Sequence, residues 1–431
     1  MLLRKLYNLA HLLESQYEPP DAVMAMLTKK VSSYLCYICK HSPYYNKIMN
    51  DFGLDATDIK GIIGKFPIVD RSTYKKLSLD MIAALNIKTH KYKHRITSGS
   101  TSMPMIFYFT KNDLDFLDML LMRAFIANGV KLGYKVAHLN NCFAKIERSC
   151  LHSLYLYRSD VVSIFKSAEQ IVSALERLRP DVISGFPTAI KLVARLVRQK
   201  GITKIKPKKI FTGSESLEDN TRSYIRETFG VDVIDTYGSA EMGIWAWECG
   251  KHEGYHMSTD ALFVEFLDGF ISDNELIYDL VCTNPHSHIM PLIRYRVGDC
   301  VILSKKMCSC GRTLPLIKKI VGRTGDFVLN KNRELISPMA FLLGLMYFAN
   351  IFEYQIVQKS PRDILVRIVP KENFSLRDEA EIVKRVRDIM GDSGTAVNIE
   401  KVSNIEREMS GKFRYVKSEL GKRYLEAAFN N

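Results

Sequence analysis

Thr97, Ser98, Ser100, Thr101 and Ser102 set five hydroxyls around Gly99, and Pro104 closes the run TSGSTSMP. Small residues leave backbone N–H groups accessible and the hydroxyls add donors, a combination that can wrap a polyphosphate. The same composition also makes ordinary turns. Further along come TGSES, with Gly213, Ser214 and Glu215, and DTYGSAE, with Asp235, Thr236, Tyr237, Gly238, Ser239 and Glu241. RYRVGD holds Asp299, VGRTGD holds Arg323, and a glycine-containing loop near the C-terminus, SGKFRYV, holds Lys412. A tyrosine can pack its ring on a base, and a glycine lets backbone come close. A second group is Cys249, His252 and His256 in WECGKHEGYHM, with Cys308 and Cys310 in CSCG. Thiolates with imidazole build tetrahedral zinc sites. Here Cys-x-Cys is tight and the two halves lie far apart, so spacing alone favours buried free cysteines.

The elements that must position these residues alternate. MIFYFT reads as a strand, followed by an apolar helical period that stops at Gly129. VAHL, DVISGF, KKIFTGSE and VDVIDTYGS read as strands, separated by the helices SAEQIVSALERLRP, TAIKLVARLVRQKG and one ending at Phe229 and Gly230. Alternation over 130–240 predicts a parallel α/β sheet with ligands at the strand C-terminal ends. The first ninety residues read as helical and loop-rich. In the last hundred, FEYQIVQ, DILVRIVP and TAVNIEKV read as strands and SLRDEAEIVKRVRDIMG as a helix, a small α+β unit. The glycines around Arg323 put a boundary near 322–327.

At 431 residues the chain has room for two or more domains. Its net charge of +14 is scattered, with no long basic block, so it favours anionic ligands over nucleic acid. No N-terminal signal or transmembrane segment stands out, which predicts a cytoplasmic protein with reduced cysteines.

With six motifs in order, the sequence resembles the adenylate-forming (AMP-binding) superfamily, within it the phenylacetate–CoA ligase-like group and the related capsular polysaccharide biosynthesis proteins. The resemblance runs from SPYY at 42 to the lysine loop at 412. It implies a large N-terminal multi-layer α/β domain over 1–325, binding ATP and acyl group. A small mobile α+β domain over 326–431 would carry the catalytic Lys412. The implied chemistry activates a carboxylic acid with ATP, releases pyrophosphate, and transfers the acyl group to a thiol, by family default CoA.

The resemblance assigns roles residue by residue. Ser98, Gly99, Ser100 and Thr101 would hold the β- and γ-phosphates, although Ser102 stands where the family usually has Gly and Met103 where it often has Lys. Gly213, Ser214 and Glu215 would border the adenine pocket, which Asp235, Thr236, Tyr237, Gly238 and Ser239 complete after their strand. Glu241 would bind Mg²⁺, Asp299 the ribose hydroxyls, and Arg323 the ribose or phosphate; Asp326 falls at the domain hinge. Lys412 would bridge carboxylate and α-phosphate. Some relatives also carry a structural Zn²⁺ on a pattern matching Cys249, His256, Cys308 and Cys310, with His256 a better match than His252. The acyl pocket would include 139–160, where Lys145 and Arg148 hint at a polar acid. Other readings stay open: adenylation followed by transfer to an amine, hydroxyl or carrier in surface polysaccharide synthesis, or a non-catalytic nucleotide-binding protein. A homodimer is left open too.

Overall fold

The computed structural model describes residues 2–53, 63–84, 92–96, 105–140, 158–272, 275–323, 327–336, 338–345, 348–408, 413–421 and 423–424. Helices Leu2–Ser15, Pro20–His41 and Pro43–Asp51 open the chain. A small hairpin follows, β1 (Lys93–Ile96) against β2 (Ile106–Phe109). Among the described residues the central sheet has eleven strands. Its first half is β3 (Lys135–Asn140), β4 (Arg158–Ser163), β5 (Val182–Gly185), β6 (Lys209–Gly213) and β7 (Val233–Ser239). These pair in parallel in the order β4-β3-β5-β6-β7.

Parallel strands need both faces covered, and the sequence supplies two apolar faces. Ile183, Ile210 and Val233 point toward helices Ala168–Leu178 and Pro187–Lys200. Val182, Phe211 and Ile234 point the other way, onto Phe125 of helix Lys111–Ala127. Each of these strand residues is at most 2% exposed. Burial of this depth contributes about 2 kcal/mol per side chain. The helices begin where their caps dictate. Thr110 and Asp113 close a capping box on Lys111–Ala127, and Ser167 and Gln170 one on Ala168–Leu178. Gly201, at φ +60°, ends Pro187–Lys200 in a left-handed turn that glycine adopts without strain.

Past β7 the sheet turns antiparallel, which the alternation over 130–240 does not foretell. The added strands are β8 (Gly243–Glu248), β9 (Tyr255–Met257), β10 (Phe263–Ser272), β11 (Glu275–Asn284), β12 (Leu292–Leu303) and β13 (Leu316–Arg323). Their order outward from β7 is β8-β9-β13-β12-β11-β10. A buried ion pair ties this half to the first helix. Arg123 Nη1 lies 2.5 Å from Asp260 Oδ2, which also accepts from Ser15 Oγ at 2.5 Å.

After β14 (Val328–Leu329) and β15 (Leu335–Ile336), a second core begins. It is built on β16 (Ile351–Ser360), β17 (Asp363–Pro370), β18 (Ala396–Lys401) and β19 (Val416–Ser418), ordered β18-β17-β16-β19. Helices Pro338–Leu345 and Leu376–Met390 pack on them through Phe341, Leu345, Ile382, Val386 and Met390. Together with the first, the architecture is mixed α/β with a small α+β unit at the C-terminal end. Among the described residues, no helix is long and apolar enough to cross a membrane.

Candidate active site

The ends of β6 and β7 bring the TGSES and DTYGSAE motifs together, with Gly213 paired to Thr236. A Cβ on Gly213 would lie 2.6 Å from Thr236 Oγ1, so these strands approach as closely as only glycine allows. Thr236 Oγ1 donates to Thr212 O at 2.6 Å. Ser214 then turns the chain off the sheet at φ +67°, a left-handed conformation rare for a residue with a side chain. Glu215 follows, half-buried. Its carboxylate accepts from Thr188 Oγ1 at 2.7 Å and Phe413 N at 2.6 Å. Burial raises its pKa, partly offset by those donors.

Asp235 to Ser239 form part of β7 itself rather than following it. Tyr237 packs its ring against Trp245, centroids 4.8 Å apart, and its hydroxyl donates to Asp299 Oδ2 at 2.6 Å. Asp299 sits on β12 directly opposite Arg323 on β13. Three motifs, separated by 62 and 24 residues, thus meet at one place. Gly238 serves the sheet: a Cβ there would come within 2.2 Å of Gly243 O on β8. Ser239 Oγ accepts from Met242 N at 3.2 Å and holds the turn that carries Glu241, which is only 7% exposed. Glu241 lies near enough to Cys282 to add, after burial and Glu265, to the upward push on that thiol.

The Asp235 carboxylate is turned into the protein. Its Oδ1 accepts from Thr212 Oγ1 at 2.6 Å and its Oδ2 from Tyr255 OH at 2.7 Å. Its backbone N–H donates to Glu248 Oε2 at 2.8 Å, and Arg222 grips the same carboxylate at 2.8 Å. Burial and the neighbouring Glu248 push Asp235 up to about 6. In Glu248 burial acts upward too, but the hydrogen bond from His252 and the charge of Arg222 outweigh it and hold that acid low. Sequence reasoning passed over Glu248, Arg222 and Tyr255. The one signal was an acid ending the apolar strand GIWAWE, where a buried charge requires a partner.

Cys249, His256, Cys308 and Cys310 converge with all four donor atoms within 4.8 Å of one another. Cys249 Sγ and Cys308 Sγ are 3.6 Å apart, and Cys310 Sγ and His256 Nε2 are 3.4 Å apart. Bonds of about 2.0–2.3 Å to one tetrahedral ion give donor separations of about 3.3–3.8 Å, a range these two pairs match. His252 points elsewhere, to Asp232 Oδ2 at 3.1 Å and Glu248 Oε2 at 3.4 Å. The cluster and the Asp235 network are neighbours in sequence, since Glu248 precedes Cys249 and Tyr255 precedes His256.

Ser98, Gly99, Ser100, Thr101, Ser102, Met103, Lys145, Arg148, Asp326 and Lys412 lie outside the described residues.

Residues 328–419 match the CapK C-terminal domain family. The chain is similar to Protein CapK of Staphylococcus aureus, 24% identical over 410 residues that cover 90% of this chain and 87% of that protein. It is similar to the phenylacetate-coenzyme A ligase of Thermus thermophilus, 24% identical over 352 residues, 79% of each. Among solved structures, 2-hydroxyisobutyryl-CoA ligase in the postadenylation state, in complex with R3-HIB-AMP, matches with a TM-score of 0.76 at 19% identity. That alignment covers 96% of this chain and 93% of the other.

Proposed function

The chain belongs to the adenylate-forming, phenylacetate–CoA ligase-like family, and on that premise we propose that it activates a small carboxylic acid with ATP and passes the acyl group to the thiol of CoA. In the first step a carboxylate oxygen attacks the α-phosphorus, the bond to the bridging oxygen breaks, and pyrophosphate leaves. In the second a thiolate attacks the acyl carbon and AMP leaves. The barrier falls where donors and cations meet the charge that develops on phosphate.

The reading rests chiefly on the hydrogen bond from Tyr237 to Asp299 opposite Arg323, because it joins three separate motifs where a ribose would need acceptors. In it, Asp299 accepts from ribose hydroxyls and Arg323 supports the ribose or phosphate. The ends of Gly213–Glu215 and of Asp235–Ser239 border the adenine. Ser98, Gly99, Ser100 and Thr101 cradle the departing pyrophosphate, and Lys412 bridges carboxylate and α-phosphate. Glu241 would hold Mg²⁺, which neutralises phosphate charge. Cys249, His256, Cys308 and Cys310 would hold Zn²⁺; four protein ligands leave no open position, so the ion would pin two loops rather than activate water. Metal analysis of purified protein checks this: near one zinc per chain is expected, and far less with all four ligands intact counts against it. The reading includes a large domain over 1–325, a small one over 326–431, and a cytoplasmic location.

A pyrophosphate-release screen over aromatic, aliphatic, amino and hydroxy acids, with and without CoA, tests the function. At least one acid is expected to release pyrophosphate and then form a CoA thioester. Lys412→Ala is expected to lose most of the exchange between ATP and pyrophosphate, and unchanged exchange would remove that lysine from the first step. Release of pyrophosphate with no thioester would direct the acyl group instead to an amine, hydroxyl or carrier.

A further inference from the structure

The small unit meets the large one on the loop that leaves β6. Glu215 accepts from Phe413 N at 2.6 Å, and Phe413 is the residue after Lys412. On the large-domain side the same carboxylate is held by Thr188 Oγ1 at 2.7 Å, in the first turn of helix Pro187–Lys200. Three residues on, Glu218 accepts from Tyr354 OH at 2.9 Å on β16, and from the hydroxyl of Tyr415. The two tyrosine rings are 5.6 Å apart. Beside them Lys191 donates to Phe352 O at 3.1 Å, and the Arg195 guanidinium lies 4.3 Å from the Phe352 ring. Arg407, which pairs with Glu353 at 2.7 Å, lies 4.4 Å from the ring of Phe413.

Two carboxylates from one short loop thus take donors from Tyr354 on β16 and from Phe413 and Tyr415, which follow the lysine segment and lead into β19. Glu215 keeps its Thr188 donors whichever way the small unit lies, so losing Phe413 does not strand it. Hydrogen bonds to a charged group are stronger than neutral ones, enough to hold a docked state and weak enough to release it.

We propose that the 213–218 loop is a receiver for the small domain, in which Glu215 and Glu218 act as positioning residues that set where the backbone beside Lys412 sits during adenylation. The proposal rests on the adenylation reading for its chemistry and on the contacts above for its geometry. The Glu215 side chain then serves docking, while the backbone of the same loop borders the nucleotide.

The test uses the full chain and separates the two half-reactions. Pyrophosphate exchange with an accepted acid reads the first, and thioester formation from a chemically prepared acyl-adenylate reads the second. The double variant Tyr354→Phe/Tyr415→Phe, and separately Glu218→Gln, should lower exchange about tenfold through kcat with KM for ATP little changed, as expected for loss of a charged hydrogen bond. Both should leave the second half-reaction within about twofold. Glu215→Ala should lower exchange at least as much, and Glu215→Gln, which keeps an oxygen for Phe413 N–H, should recover most of it. A fluorescent pair at exposed Lys200 and Glu381 adds a readout independent of chemistry: the tyrosine double variant should lengthen the mean separation. Equal loss in both half-reactions, or an unchanged separation, overturns the receiver. A wild-type chain that exchanges with no acid overturns the adenylation reading alone, and the separation then decides the receiver by itself.

Discussion

Single hydroxyls and carboxylates carry the candidate site. Tyr237 is most telling, since its ring is packed on Trp245 while its hydroxyl reaches Asp299. Tyr237→Phe keeps the ring and removes that donor. Its expected cost is about 1–2 kcal/mol in nucleotide binding, read as an ATP affinity weaker by about fivefold to thirtyfold in calorimetry, with the fold's thermal midpoint little moved. Glu218 gives a pH signature. Burial raises its folded pKa above the ordinary 4.5, against the opposing pulls of Lys191 and the tyrosines. The unfolded chain then releases this proton first, so the contribution to stability is full below 4.5 and shrinks as pH rises through the raised value. Glu218→Gln does not titrate. Thermal midpoints of wild type measured against this variant should therefore fall from pH 4.5 upward and then level off. A difference that grows with pH over that span would reverse the assignment.

Elements decide how near those groups come. β6 and β7 carry their motifs at strand ends, where side chains change from core to site within two residues. Gly238 marks the limit of approach: Gly238→Ala places a methyl 2.2 Å from Gly243 O, backbone that cannot give way. A loss of about 2–3 kcal/mol in urea denaturation is expected, along with a displaced Tyr237. Much of this was legible. Apolar runs such as VISG and KIFTG, with Gly and Ser behind them, announced buried parallel strands and their exits. The antiparallel continuation from β8 to β13 was not legible as a pairing order, because β9 inserts between β8 and β13 and nothing local encodes a partner sixty residues away. The pairing of Asp299 with Arg323 depends on that order.

At the scale of the molecule, the separate cores of the two units and the contacts between them set behaviour. Among the described residues, the second core runs from Val328 to Val416 and shares no residue with the clusters of the large sheet, although Phe327 and Leu335 pack with Ile277, Cys300 and Val321. A fragment spanning 326–431 is expected to unfold in one cooperative transition in urea, monitored by circular dichroism; a non-cooperative profile would mean that the small unit depends on the large one. Within the large unit, Arg123 and Asp260 are both fully buried at the side chain. Arg123→Met leaves Asp260 with the Ser15 hydroxyl and the more distant charge of Lys30, and should cost about 3–5 kcal/mol, seen as a fall in thermal midpoint.

The sequence alone carried the resemblance to a family, the order of its motifs, the parallel core and the helices around it. These rest on local chemistry: periodicity, caps and the small residues that phosphate and nucleotide contacts demand. It also brought Cys249, His256, Cys308 and Cys310 forward, but only through resemblance, since their spacing argued the other way. The tertiary structure gathered those four donors and sent His252 to Asp232 and Glu248. It also buried Asp235 among Thr212, Tyr255, Glu248 and Arg222, and gave the Glu215 carboxylate to Thr188 and Phe413. What a carboxylate does depends on which donors reach it, and donors from distant segments are chosen by packing rather than by neighbours in the chain.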